Sequence, residues 1–104
     1  MFPVKHRVPR ECFKKILIEG QKVSSGLFLM RKKQNNLDFP RFSVVVSKKV
    51  SKSAVRRNQI KKRFMHALRE NALKYSNSDH VVLASPKSNG ATFLEISKAL
   101  ENVL

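Results

Sequence analysis

The chain has 104 residues, 41% of them apolar and 8% aromatic, enough for one modest core and a single domain spanning residues 1–104. Against 22 Lys and Arg there are only 7 Asp and Glu, a net charge of +15. Such an excess repels itself and points to a polyanionic partner, nucleic acid and above all RNA, ahead of an anionic membrane surface. The one cysteine, Cys12, excludes an internal disulfide framework and a cysteine-based zinc site.

Residues 1–9 are basic, carry Pro3 and Pro9, and read as an extended arm without the apolar stretch of a secretory signal. No run approaches the ~20 apolar residues of a membrane span, so the expected location is the cytoplasm. From Arg10 to Glu19, Phe13, Ile16 and Leu17 fall at helical spacing, and Gly20 stands where helices commonly stop. Cys12 beside Phe13 reads as a small buried thiol.

Val23–Met30 is β-like, Arg31–Phe39 is polar with a turn signal at Asn35-Asn36, and Phe42–Ser47 is a second strand rich in β-branched residues. These two strands are expected to form an antiparallel hairpin. Ser51 or Ser53 is placed to cap a helix running to about Tyr75, with Ile60, Phe64, Ala67, Leu68 and Tyr75 on its apolar side. Asp79–Ala84 reads as a buried strand, Ser85–Gly90 as a loop, and Ala91–Leu104 as a closing helix with Phe93, Ile96, Leu100 and Val103 on one face. The resulting order, α-β-β-α-β-α, is that of an α+β domain with one sheet.

Charge concentrates in the middle of the chain. Between Lys48 and Arg63 there are eight basic residues (Lys48, Lys49, Lys52, Arg56, Arg57, Lys61, Lys62 and Arg63) and no acid. No carboxylate offers pairing at i,i+4 before Glu70, so a self-contained solvated face is disfavoured. Arginine forks onto phosphates, lysine supplies a point charge, and a helix N-terminus adds free N–H groups at its positive end. Asn58, inside this run, is suited either to capping or packing or to holding a base edge or phosphate. The seven acids are scattered and form no D-x-D pair, and His6, His66 and His80 share no ligand spacing. Hydrolysis by this chain alone, which would need converging carboxylates for metal ions, is therefore not expected. A helix-turn-helix reading lacks its second short helix.

The stretch V-S-K-K-V-S-K-S-A-V-R-R-N-Q-I-K-K-R, Val46 to Arg63, resembles the signature of the bacterial ribonuclease P protein family. That family shows a Ser-Lys-Lys strand end followed by a helix bearing an Arg-Asn-Arg motif. Ala54-Val55, Arg57-Asn58 and Ile60-Lys61 match, whereas Gln59 replaces the motif's second arginine and Lys62 stands where arginine is common. Phe13 ahead of Gly20, Phe28, Arg41–Lys49 and Asp79–Ala84 extend the resemblance over nearly the whole chain, with Cys12 where an acid is usual.

The resemblance implies an α-β-β-(β)-α-β-α domain with a small mixed sheet and the basic helix in a left-handed βαβ crossover. The general handedness rule would have given the opposite. Residues 21–33 would then hold two short strands or one long bent strand. It also implies a protein subunit that assists a catalytic RNA in removing the 5′ leader from precursor tRNA, with Mg²⁺ held mainly by the RNA. Its partners would be ribonuclease P RNA and precursor tRNA, with no membrane and no protein partner. Lys48, Lys49, Lys52, Arg56, Arg57, Asn58, Lys61, Lys62 and Arg63 would contact RNA, and no protein residue would be catalytic. Phe13, Leu17, Phe28 and Arg31 would line a cleft for the single-stranded leader. Leu17 and Arg31 stand where relatives carry aromatics, so stacking on the leader should be weaker and charge contact greater. The alternative is a general RNA-binding or ribosome-associated protein without a role in tRNA processing.

Overall fold

The computed structural model describes residues 7–71 and 77–103. In chain order the elements are helix α1 (Arg10–Glu19), strands β1 (Gln21–Ser25), β2 (Phe28–Gln34) and β3 (Arg41–Val45), helix α2 (Ala54–Glu70), strand β4 (Ser78–Ala84), a 3₁₀ turn (Pro86–Gly90) and helix α3 (Phe93–Glu101). The four strands form one mixed sheet in the order β1-β2-β4-β3, and the fold is α+β.

The expected hairpin between residues 23–30 and 42–47 does not form. Instead β1 and β2 pair antiparallel across a turn at Gly26 and Leu27, joining Ser25 to Phe28 and Gln21 to Lys32. β3 pairs parallel with β4, Val44 opposite Val82, while β4 also runs antiparallel to β2. The apolar run of β4 thus lies between two partners, and β3 reaches it only through the α2 crossover. Residues 31–34 belong to β2, although their Arg-Lys-Lys-Gln sequence reads as a connector. The polar connector begins at Asn35, whose side-chain Oδ1 accepts from Leu37 N–H (2.9 Å), and Asn36 takes φ 59°. Asn is among the few non-glycine residues that adopt this conformation at low cost.

Pleating divides the side chains into two layers. Phe28, Met30, Phe42, Val44 and Val82 face α2 and α3, joining Ile60, Phe64, Leu68, Ile96 and Leu100 in the main core. The other face carries Val81, which packs with Ile16 of α1 and with Val8. The described part of the N-terminal arm, Arg7–Pro9, runs beside β3: Val8 N–H donates to the Phe42 carbonyl (3.1 Å). Pro9 follows, and α1 begins at the next residue.

Gly20 ends α1 as expected, but for a different reason. Its φ is −69°, so no left-handed conformation is involved. A Cβ there would lie 2.3 Å from the Ile16 carbonyl oxygen and 3.2 Å from that of Lys32. Close backbone packing therefore selects glycine. Helix α2 is capped by Ser53, whose hydroxyl accepts from Arg56 N–H (3.2 Å), and it ends at Glu70, short of the expected Tyr75, which lies outside the described residues. The expected loop at 85–90 contains the 3₁₀ turn. The closing helix starts at Phe93, after a reciprocal cap in which Thr92 and Glu95 satisfy each other's backbone N–H groups.

Candidate nucleic-acid interface

Helix α2 has its apolar stripe fully committed: Ile60, Phe64, Ala67 and Leu68 are all 0% exposed. With that side anchored in the core, the cationic positions turn outward. Asn58, Lys61 and Lys62 are exposed on the helix, and Lys48, Lys49 and Lys52 on the turn before it. That turn is held by buried Val50, whose N–H donates to the Ser47 carbonyl (3.0 Å). The ion pairs among the described residues are Lys33–Glu19 and Arg41–Asp79, with His66 hydrogen-bonded to Glu70, so these five lysines carry uncompensated charge.

The three arginines of the run behave differently. Arg57 Nη1 donates to the carbonyls of Ser51 and Lys52, both at 3.0 Å, folding the pre-helix turn onto the helix start. Arg56 forks onto Asn89, with Nε donating to Oδ1 at 2.7 Å and Nη2 to the main-chain carbonyl, while Nη1 reaches Gln59 Oε1 at 3.2 Å. Arg63 Nη1 donates to the Ala91 carbonyl (3.1 Å). All three are half-buried, and their guanidinium groups tie α2 to neighbouring segments. Composition did not reveal this, because a strut and a phosphate ligand require the same side chain.

An open groove of about 560 Å³ runs along the outer edge of β3. Its walls include Arg10 and Phe13 from α1 and Arg57, Asn58 and Lys61 from α2, with residues 43–46 as its floor. The groove therefore joins one residue of the expected leader cleft to the core of the expected RNA-binding set. Arg10 was not singled out from the sequence. Its signal was a basic residue at a helix start, which means little until the fold brings that end beside α2.

The other cleft residues lie elsewhere. Phe28 is 1% exposed on the sheet face opposite α1 and packs edge-to-face on Phe64 with ring centroids 6.0 Å apart. It is a core residue, unavailable to a ligand lying between sheet and α1, because strand alternation turns it to the α2 side. Leu17 is 36% exposed on α1 and does not line the groove. Arg31 lies on the α1 face and donates to the Gly20 carbonyl (3.1 Å) at the far end of that helix. Phe13 is half-buried and packs against the Val8–Ile16–Val81 cluster.

At the start of β3, Arg41 grips Asp79 through two bonds of 2.7 and 2.6 Å, and Asn35 Nδ2 donates to the same carboxylate at 2.9 Å. The bond to Asp79 raises the Arg41 pKa further above its usual value. His80, fully buried and stacked on Phe42 (5.0 Å), is lowered to about 4, chiefly by desolvation. Four of the seven carboxylates are engaged by protein groups: Asp79, Glu19 with Lys33, Glu70 with His66, and Glu95 in its cap. Among the described residues no three His, Cys, Asp or Glu converge as a metal site, and no helix is long and apolar enough to cross a membrane.

Comparison with known proteins decides the family. The family model described as Ribonuclease P matches residues 2–104. The chain belongs to the ribonuclease P protein family. The ribonuclease P protein component of Clostridium kluyveri is 34% identical over 95 residues, covering 88% of this chain and 84% of that protein. That of Nitrosococcus oceani is 32% identical over 89 residues, covering 86% and 75%. Among solved structures, the ribonuclease P protein of Thermotoga maritima superposes with a TM-score of 0.86 at 27% identity, covering 94% of each chain. That of Staphylococcus aureus gives 0.84 at 28%, covering 94% and 91%. In this family setting the basic helix and its groove are the features most suited to an RNA.

Proposed function

We propose that this protein is the protein component of a ribonuclease P and serves the removal of 5′ leaders from precursor tRNA in the cytoplasm, with catalysis carried by its RNA partner. Its family membership supports the assignment to tRNA 5′ processing. The observation that carries the mechanistic reading is the groove at β3. There, uncompensated Lys61, Asn58 and the positive end of α2 face Arg10 and half-buried Phe13 of α1. Lys48, Lys49, Lys52, Lys61 and Lys62 neutralise phosphates of the RNA subunit, while Phe13 and Arg10 receive the single-stranded leader. With most carboxylates engaged internally, Mg²⁺ is held by RNA phosphates, and the protein acts by lowering their mutual repulsion as the two RNAs approach.

The test is cleavage of precursor tRNA at low Mg²⁺ by a bacterial ribonuclease P RNA, with and without the purified protein. Faster cleavage with protein, and weaker binding of tRNA lacking the leader, is the expected result. No acceleration, with RNA binding retained, would instead make the protein a general RNA-binding module.

A further inference from the structure

Arg56 lies within the cationic run, yet its guanidinium is turned away from the groove and toward the 3₁₀ turn. There it meets Asn89 at both the side-chain and main-chain oxygens. Asn89 has a further contact: its Nδ2 donates to the Val50 carbonyl at 3.2 Å. One side chain thus joins three segments, namely the Lys48–Lys49–Val50 turn, the first turn of α2 and the 3₁₀ turn. The 3₁₀ turn is itself anchored. Ser88 Oγ donates to the Ser85 carbonyl (2.6 Å), Ser85 N–H to the Leu27 carbonyl (3.0 Å), and Ser85 Oγ to the Gly26 carbonyl (2.8 Å). The support for the basic turn therefore leads back through Asn89 to the β1–β2 turn at the opposite edge of the sheet.

We propose that Asn89 is a positioning residue for RNA binding: with Arg56 as its strut, it holds Lys48, Lys49 and Lys52 in one arrangement before the RNA arrives. Like charges on a short turn and helix start repel one another and, with only the Val50 and Arg57 contacts left to hold it, the turn would sample more conformations without this clamp. Ordering them would then have to be met from the binding energy. Arg56 accordingly contributes geometry, and the lysines contribute the phosphate contacts. This inference rests on the reading of those lysines as RNA ligands, and the experiment separates the two.

Binding of a bacterial ribonuclease P RNA is measured against salt concentration for Asn89→Ala, Arg56→Lys, their double variant, and Lys49→Ala, with thermal unfolding as a folding control. Lys49→Ala should reduce the slope of log affinity against log salt by about 0.7–0.9, the loss of one phosphate contact. Asn89→Ala and Arg56→Lys should each weaken binding about 3- to 10-fold, a loss of preorganisation, without reducing that slope. The double variant should be no weaker than the poorer single variant, since both break one unit. Arg56→Lys keeps the charge and decides the matter if Asn89→Ala fails to fold. Wild-type affinity in Arg56→Lys, or additive losses in the double variant, would overturn the positioning role. An unchanged slope in Lys49→Ala would instead show that the lysine reading is wrong.

Discussion

His80 couples the stability of this fold to pH in a way that can be worked through. It lies in β4 beneath Phe42, its Nδ1–H donates to the Arg41 carbonyl (3.3 Å), and its register partner on β2 is Lys32. Desolvation is the main cause of its lowered pKa of about 4, opposed by the Arg41 bond, while Lys32 lowers it further and Asp79 raises it. The unfolded chain takes up this proton near pH 6.5 and the native state near 4, so stability is full above 6.5 and is lost as pH falls between them. For this one group the loss is about 1.4 kcal/mol by pH 5.5 and about 3 kcal/mol by pH 4. The assay is urea unfolding at pH 7, 5.5 and 4 for the wild type and His80→Gln. The difference between the two should shift in the variant's favour by those amounts on acidification. Parallel stability curves would refute the reasoning.

Gly20→Ala should destabilise the protein by about 1–3 kcal/mol in urea unfolding, because the added methyl meets the Ile16 carbonyl at 2.3 Å and the end of α1 must move. Phe28→Ala should cost about 3–5 kcal/mol of stability, whereas Phe13→Ala should cost less and selectively weaken binding of leader-bearing precursor over mature tRNA, measured side by side. Leu17→Phe, which adds an aromatic ring on the α1 surface outside the groove, should leave the preference for precursor over mature tRNA unchanged, measured in the same way. Selective tightening of the precursor would instead extend the leader path along α1 to Leu17.

Local chemistry was largely legible along the chain. The Arg10–Glu19 helix, the Ser53 cap, the Asn35-Asn36 turn, the buried run of β4 and the apolar stripe of α2 each follow from residues close in sequence. Their spacing or side-chain chemistry answers to backbone geometry within one or two turns. The cationic stretch was equally plain, since eight basic residues without an acid have no local partner. The family resemblance left residues 21–33 open between two short strands and one long bent strand, and the fold has two, β1 and β2.

Partner choice was decided only by the tertiary structure. Two strands near each other in sequence promised a hairpin, but β3 pairs with β4 across the α2 crossover, a pairing with no local turn signal to announce it. The same distant contacts sorted residues that look alike in sequence: Phe28 to the core and Phe13 to the groove, Arg56 to Asn89 and Lys49 to solvent. Composition pointed to a polyanionic partner. Which cations are free to meet it depends in part on hydrogen bonds between distant segments, as from Arg56 to Asn89, and only the folded chain brings those together.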